Sequence, residues 1–179
     1  MYRWPVLLGL LLVCGLAAGC VGTLDEGGAE RSNATVVSVV DGDTVDVRFA
    51  DGSTDTVRLL GVDTPELHGR TDPAEFEGVP NTTAGRACLR AVAENATGFA
   101  ADLVADRAVT LEFDSEADRR GGYDRLLAYV YRGETHLNER LLVEGYARVY
   151  VTEFTQLDRF REAAATARAG NRGIWRCAS

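Results

Sequence analysis

The sequence predicts an α+β, β-rich fold: a five-stranded Greek-key barrel with three packed α-helices. Three observations carry that prediction. Short β-branched stretches with Asp/Gly turns between them fill the first part of the chain. A long Ala/Leu/Val stretch at helical spacing interrupts the strands, and two further helical stretches follow the last of them. With 179 residues, the chain is long enough for one domain with a substantial core.

Thr35–Val40 (TVVSVV) is β-branched and ends at the turn signal Asp41-Gly42-Asp43. Thr44–Phe49 (TVDVRF) then alternates apolar and polar side chains. After a second turn at Ala50–Ser53, Thr54–Leu60 (TDTVRLL) completes a three-stranded meander. Gly61–Asn81 is rich in Pro, Gly and acids and reads as a long loop, a length that usually signals function in a compact domain. Thr82–Leu103 reads as a helix capped by Thr82 or Thr83, with Gly98 as a candidate break. Ala108–Phe113 (AVTLEF) and Arg125–Tyr131 (RLLAYVY) read as the fourth and fifth strands around a polar loop. Leu137–Glu144 is a short helix ending at Gly145, which suits a left-handed C-terminal position. Phe154, Leu157, Phe160, Ala164 and Ala167 mark a terminal amphipathic helix stopped by Gly170. Five strands with one helix between the third and fourth, and helices at the end, are compatible with a small barrel of the OB type.

Composition narrows the function classes. The chain has 19 Lys+Arg against 27 Asp+Glu, a formal charge of −8, and 46% hydrophobic residues. That balance excludes wholesale disorder, a multi-span membrane protein and nucleic-acid binding by bulk positive charge, while leaving room for a local basic cleft. Every basic residue is arginine. A lysine-free, acidic surface suits a halophilic setting, where salt near 1 M shortens the Debye length to about 3 Å and quenches acidic self-repulsion. GC-rich coding deletes lysine as well.

Residues 1–19 read as a signal peptide: one early positive charge at Arg3, an apolar run from Val6 to Leu16, then Ala17-Ala18-Gly19. Cys20 directly after these small residues resembles a lipobox cysteine, so lipidation of Cys20 stands beside a plain cleaved signal and an uncleaved membrane anchor. Each of these exports the domain to the cell surface or beyond. Residues 20–33 read as a flexible tether, and residues 34–177 as the folded domain. Two cysteines, Cys88 and Cys177, remain for a disulfide outside the cell, with two buried thiols as the alternative. Three Asn-x-Thr triplets, at Asn33, Asn81 and Asn95, match the glycosylation acceptor pattern.

Chemistry concentrates at two strand ends. Asp41 and Asp43 occupy the first turn, and Asp63 and Glu66 lie just past the third strand (RLLGVDTPE). Carboxylates converging on one rim are hard to ionise together without a hard cation among them, and oxygen donors without Cys/His spacing are calcium-type ligands. His68 and His136 are isolated and read as structural or surface residues. Arg58 and Arg125 stand at strand ends facing the same rim, where guanidinium groups match phosphate geometry. Taken singly, DGDT is a hairpin turn, DTPE an ordinary loop entry, and Arg125 a solvated strand start.

Together, VVDGDTVDV, VRLLGVDTPE, YDRLLAYVY, LNERLLVEGYARVY and the terminal NRGIW resemble the staphylococcal nuclease (thermonuclease) family over about Thr35 to Trp175. The chain looks like an exported lipoprotein variant of haloarchaeal type. The resemblance implies a calcium-dependent nuclease on an OB barrel, cutting DNA and RNA, favouring single-stranded regions and leaving 3′-phosphates. It also implies roles. Asp43 and Asp63 match the calcium carboxylates, and Thr64 the carbonyl ligand. Glu66 matches the residue that activates water, and Arg58 and Arg125 the phosphate pair. Tyr123 and Tyr150 match nucleotide contacts. The chain departs from the family pattern in lacking the lysines near the active site, and Asp124 stands where glycine is usual. The expected partners are a nucleic-acid substrate and the membrane, through an N-terminal lipid or an uncleaved signal segment, with the protein a monomer. The rival reading is a non-catalytic OB module that uses the same face to bind nucleic acid or protein.

Overall fold

The computed structural model describes residues 29–178; residues 1–28, with Cys20 and the signal segment, lie outside the described residues. Strands β1 (Glu30–Asp41), β2 (Thr44–Phe49) and β3 (Thr54–Leu59) form the antiparallel meander expected from the alternation and the two turns. The chain then passes through the short strand β4 (Val62–Asp63) and a loop into helix α1 (Thr83–Val104). Strand β5 (Ala108–Phe113) pairs antiparallel with both β1 and β6 (Leu126–Arg132). The parallel pairing of β3 with β6 closes the ring, so β1, β2, β3, β5 and β6 form a barrel. Short β7 (Thr135–His136) extends β6, and β8 (Arg148–Val149) pairs with β4 in a two-residue ladder. Helices α2 (Leu137–Val143) and α3 (Leu157–Ala169) pack beside the barrel.

Inward-facing Val36, Val45, Val47, Val57, Leu59, Leu111, Ala128 and Val130 are fully or almost fully buried, which is what period-2 alternation requires of a closed barrel. Asn138 is fully buried among them. Its amide donates to the carbonyls of Leu60 (2.9 Å) and Ala128 (3.3 Å), and its side-chain oxygen accepts from Val130 N–H (3.0 Å). One side chain therefore holds the end of β3 against β6 at the barrel seam.

Two local expectations change. The stretch read as tether ends sooner, because β1 begins at Glu30 and pairs residue by residue with β5 from Glu30–Phe113 to Thr35–Ala108. Its side chains are polar, so it lacks a hydrophobic signature. Cross-strand pairs hold it instead: Arg31 to Glu112 (2.8 Å through Nε) and Thr110 to Asn33 (3.0 Å). Helix α1 also runs unbroken through Gly98, where a side chain would meet open space. Thr82 caps it by accepting from Gly85 N–H (3.1 Å).

A second apolar cluster of Phe76, Val79, Leu89, Val92 and Ile174 joins the loop after β4, α1 and the C-terminal turn. A disulfide between Cys88 and Cys177 pins it, with Cα atoms 5.7 Å apart across a sequence separation of 89 residues. Closing a loop of that length removes about 4–5 kcal/mol of unfolded-chain freedom in the entropy treatment. Cys88→Ser with Cys177→Ser is therefore expected to lower unfolding stability by about 2–4 kcal/mol in urea titrations; an unchanged midpoint would show that the bridge constrains nothing.

His136 is buried between Tyr131, stacked at 4.4 Å, Tyr129, met edge-on, and the tilted ring of Phe160, and neither ring nitrogen has a hydrogen-bond partner among the described residues. Burial first, then the Arg159 charge, lower its pKa to about 4. The unfolded chain takes up this proton near pH 6.5, so stability falls as pH drops from there towards 4, by about 3 kcal/mol in total. Urea midpoints measured across that window should lose this slope in His136→Leu; an identical slope in the variant would assign it elsewhere.

Candidate active site

The turn after β1 is the first part of the site. Asp43 N–H donates to the Asp41 carboxylate (3.3 Å), which stabilises the tight reversal. Asp43, only 4% exposed, accepts from Thr64 N–H (2.7 Å) and from the Thr64 hydroxyl (3.1 Å) on one oxygen, and from the Thr44 hydroxyl (3.1 Å) on the other. Gly42 between the two acids lets this happen. A β-carbon there would lie 2.7 Å from the Ala96 methyl on α1 and 2.8 Å from Thr64 Cγ2. The turn, the start of the functional loop and the first helix thus meet at one residue without a side chain.

Strand β3 supplies Arg58, in register with Thr44 on one side and Leu127 on the other. Its guanidinium bridges Asp43 and Asp63: one terminal nitrogen is ion-paired to Asp43 Oδ1, and the other reaches Asp63 Oδ1 at 2.6 Å. Burial draws the Arg58 pKa down, with Asp63 the main opposing charge. Arg148 on β8, paired with Asp63 through the β4–β8 ladder, holds the other oxygen of Asp63 with its Nε (2.9 Å) and a terminal nitrogen (2.8 Å). Each oxygen of Asp63 therefore faces a guanidinium.

Asp41 and Glu66 differ from that pair in having no ion-pair partner among the described residues. Burial pushes the Asp41 carboxyl up, against the Arg58 charge. Partial burial, and next the neighbouring Asp41 charge, push Glu66 up as well. The Glu66 backbone is fastened by Thr71, whose hydroxyl accepts its N–H at 2.8 Å. Among the described residues no three His, Cys, Asp or Glu side chains stand at metal-holding distances. The donor chemistry nonetheless fits a hard divalent cation: four carboxylates on one rim, two of them without an ion-pair partner among the described residues.

On the far side of Arg58, a cavity of about 430 Å³ is lined by Arg58, Asp63, Gly121, Gly122, Arg125 and Tyr150 among others. Among the described residues Arg125 has no carboxylate in ion-pair contact; its Nε donates to the Gly122 carbonyl (3.2 Å), and it lies over the Tyr123 ring at 5.6 Å. Tyr123 and Asp124 both adopt positive φ (61° and 58°), the strained region for residues with side chains. This projects Tyr123 into solvent, 95% exposed. Tyr150 is half-exposed at the cavity wall. Both tyrosines thus flank Arg125, with Tyr123 beside its guanidinium and Tyr150 on the shared cavity wall.

Of the residues singled out from sequence, Arg58, Asp43, Asp63 and Thr64 are in direct contact, Asp41 and Glu66 adjoin them, and Arg125 and Tyr150 share the cavity with Arg58. His136 lies in the core, away from the site, whereas His68 is close enough for its charge to act on Asp41. Arg148 and Asn138 were not singled out. Arg148 acquires its position from a two-residue ladder with no sequence pattern of its own, and a polar residue at a helix start gives no sign that it is buried.

The geometry defines an OB-type barrel with an acid-and-arginine site at one rim. Residues 56–177 match the model of the staphylococcal nuclease homologue family, and the chain belongs to that family. It is 39% identical over 153 residues to an uncharacterized protein of Methanocaldococcus jannaschii, covering 82% of this chain and 72% of that one. Endonuclease YncB of Bacillus subtilis is 38% identical over 146 residues, covering 80% of this chain, which spans only 61% of YncB. Thermonuclease of Staphylococcus hyicus is 31% identical over 149 residues, with 82% and 78% coverage.

Because Gly42 separates the DGD turn from Ala96 and Thr64 by less than a methyl group, Gly42→Ala is expected to lower stability by about 1–3 kcal/mol and to shift the Thr64 and Ala96 amide resonances. Unchanged resonances would mean that the turn and α1 are not in contact.

Proposed function

We propose that this chain is a calcium-dependent endonuclease that hydrolyses phosphodiester bonds in DNA and RNA, acts best on single-stranded regions and leaves 3′-phosphates. The observation that carries the reading is the meeting of Asp43, Asp63, Arg58, Arg125 and Glu66 along one rim, in a chain of the nuclease family. Names of relatives such as endonuclease and thermonuclease support the reaction class.

Asp43, Asp63 and the Thr64 carbonyl are the residues that would hold calcium, whose chemistry when bound is to polarise a phosphoryl oxygen and draw charge from the phosphorus. Glu66 takes a proton from the water whose oxygen attacks phosphorus; the bond from phosphorus to the 5′-oxygen breaks, and that oxygen takes a proton from solvent. Arg125 and the remaining N–H groups of Arg58 donate to the oxygens on which charge builds. Tyr123 and Tyr150 offer rings on which bases stack without reading sequence.

The same reading takes the domain as exported and monomeric, working in strong salt, and held at the membrane through lipid on Cys20 or an uncleaved signal segment. The composition of residues 1–20 and a disulfide of a kind that persists in oxidising compartments support export, and the lysine-free acidic composition supports work in strong salt. One observation favours the non-catalytic alternative: Arg58 already neutralises Asp43 and Asp63.

Digestion of denatured DNA in high salt separates the two. Cleavage with calcium that stops on chelation is expected; a folded protein that binds strands without cutting them under either condition would establish the binding module. Glu66→Gln should cut turnover by about 10²–10⁴-fold while calorimetric calcium affinity stays nearly constant. Collapse of calcium binding in that variant would make Glu66 a ligand rather than a base.

A further inference from the structure

Charge on this protein is mostly matched locally. Among the described residues ten arginines, including Arg58 and Arg148, are ion-paired to a carboxylate. The exceptions matter because the chain as a whole is strongly acidic, so a surface with unmatched cations is unusual on it. Two of them lie next to Glu66. There a cavity of about 160 Å³ is lined by Glu66, Gly69, Arg70, Thr71, Arg86 and Arg90. It adjoins a second of about 330 Å³ that shares Arg70, Thr71 and Arg86. Together they make a groove leading outward from the catalytic carboxylate.

Arg70 has no hydrogen-bond or ion-pair partner among the described residues. Among the described residues the Arg86 guanidinium donates to the neutral side-chain oxygen of Asn81 (2.6 Å) and has no ion-pair partner. Arg90, one helical turn further along α1 on the same face, pairs with Glu94 of the same helix at 3.1 Å; such an exposed pair is weak and exchanges readily for another anion. Asp72, the acid that lines the outer cavity, accepts from Ala74 N–H at 3.0 Å as the cap of the following turn. Three guanidinium groups thus line a groove whose inner end is Glu66, and two of them, Arg70 and Arg86, have no carboxylate partner among the described residues.

Resting on the nuclease reading above, we propose that Arg70, Arg86 and Arg90 bind the phosphates of a polynucleotide strand as it continues past the scissile position on the Glu66 side. The ligand is the sugar–phosphate backbone. Guanidinium forks match phosphate oxygens bidentately, and no aromatic ring lines either cavity to read or stack a base. The groove makes the enzyme prefer strands longer than a dinucleotide. It also restores, with arginines placed beside the site, part of the phosphate attraction that an acidic, lysine-free surface lacks.

The test compares binding of a labelled dinucleotide and a labelled dodecanucleotide by fluorescence anisotropy, in a Glu66→Gln background so that the strands survive. The dodecanucleotide should bind more tightly than the dinucleotide, and Arg70→Gln with Arg86→Gln should reduce that advantage by about tenfold or more. Loss of two phosphate contacts should also make the log–log salt slope shallower by about 1.4. Arg48→Gln with Arg107→Gln removes the same charge from exposed positions outside the groove and should leave the length advantage in place. If the groove variant keeps the advantage, or the control loses it equally, the groove does not bind the strand. Cleavage assays on the parent protein report separately: an uncut dodecanucleotide in calcium overturns the nuclease reading, whereas a cut one with no length preference overturns only the groove.

Discussion

Closure of the barrel by the parallel pairing of β3 with β6 is the constraint on which the rest depends. Three residue pairs make this seam: Val57 with Leu126, Arg58 with Leu127, and Leu59 with Ala128. Parallel pairs between distant segments carry a large loop-closure cost and gain nothing locally, so the seam needs support. Asn138 gives it from inside the core by bonding to both sides. The outcome is chemical as much as architectural, because the register that seals the barrel also sets Arg58 beside the loop that carries Arg125 and Tyr123.

A partly buried arginine between two aspartates then organises the rim. Separate carboxylates would repel one another and resist burial; with Arg58 between them, and Arg148 behind Asp63, the acids on β4 and on the first turn are held in fixed positions. The uncompensated charge is displaced onto Asp41 and Glu66 at the edge. There burial raises the Asp41 pKa, and partial burial together with the Asp41 charge raises that of Glu66. Support extends outward from Arg148, which lies over the Phe76 ring at 5.4 Å. Phe76 belongs to the apolar cluster pinned by the Cys88–Cys177 bridge. The disulfide, the C-terminal turn and a site aspartate are thereby joined through one chain of packed side chains.

Local pattern alone settled a large part of this protein. Alternation in TVDVRF and AVTLEF, the DGD and ADGS turns, and the 3.6-residue spacing of the helices are properties of neighbouring residues, so the strands, the helices and their order follow from them. The acids and arginines of VDGDT, RLLGVDTPE and YDRLL could be singled out because turn and loop chemistry puts them at strand ends. Tertiary structure decided what depends on contacts between distant segments. The polar residues Glu30–Asn33 became strand only because β5 lies alongside. Arg148 reached Asp63 through a ladder too short to leave a pattern. The small size of Gly42 mattered only once α1 arrived against it. The arginines beside Glu66, scattered at 70, 86 and 90, became one groove when the loop folded back on the first turns of the helix. Sequence spacing encodes periodicity along the chain, whereas ion pairs, closure and grooves are set by distances across it.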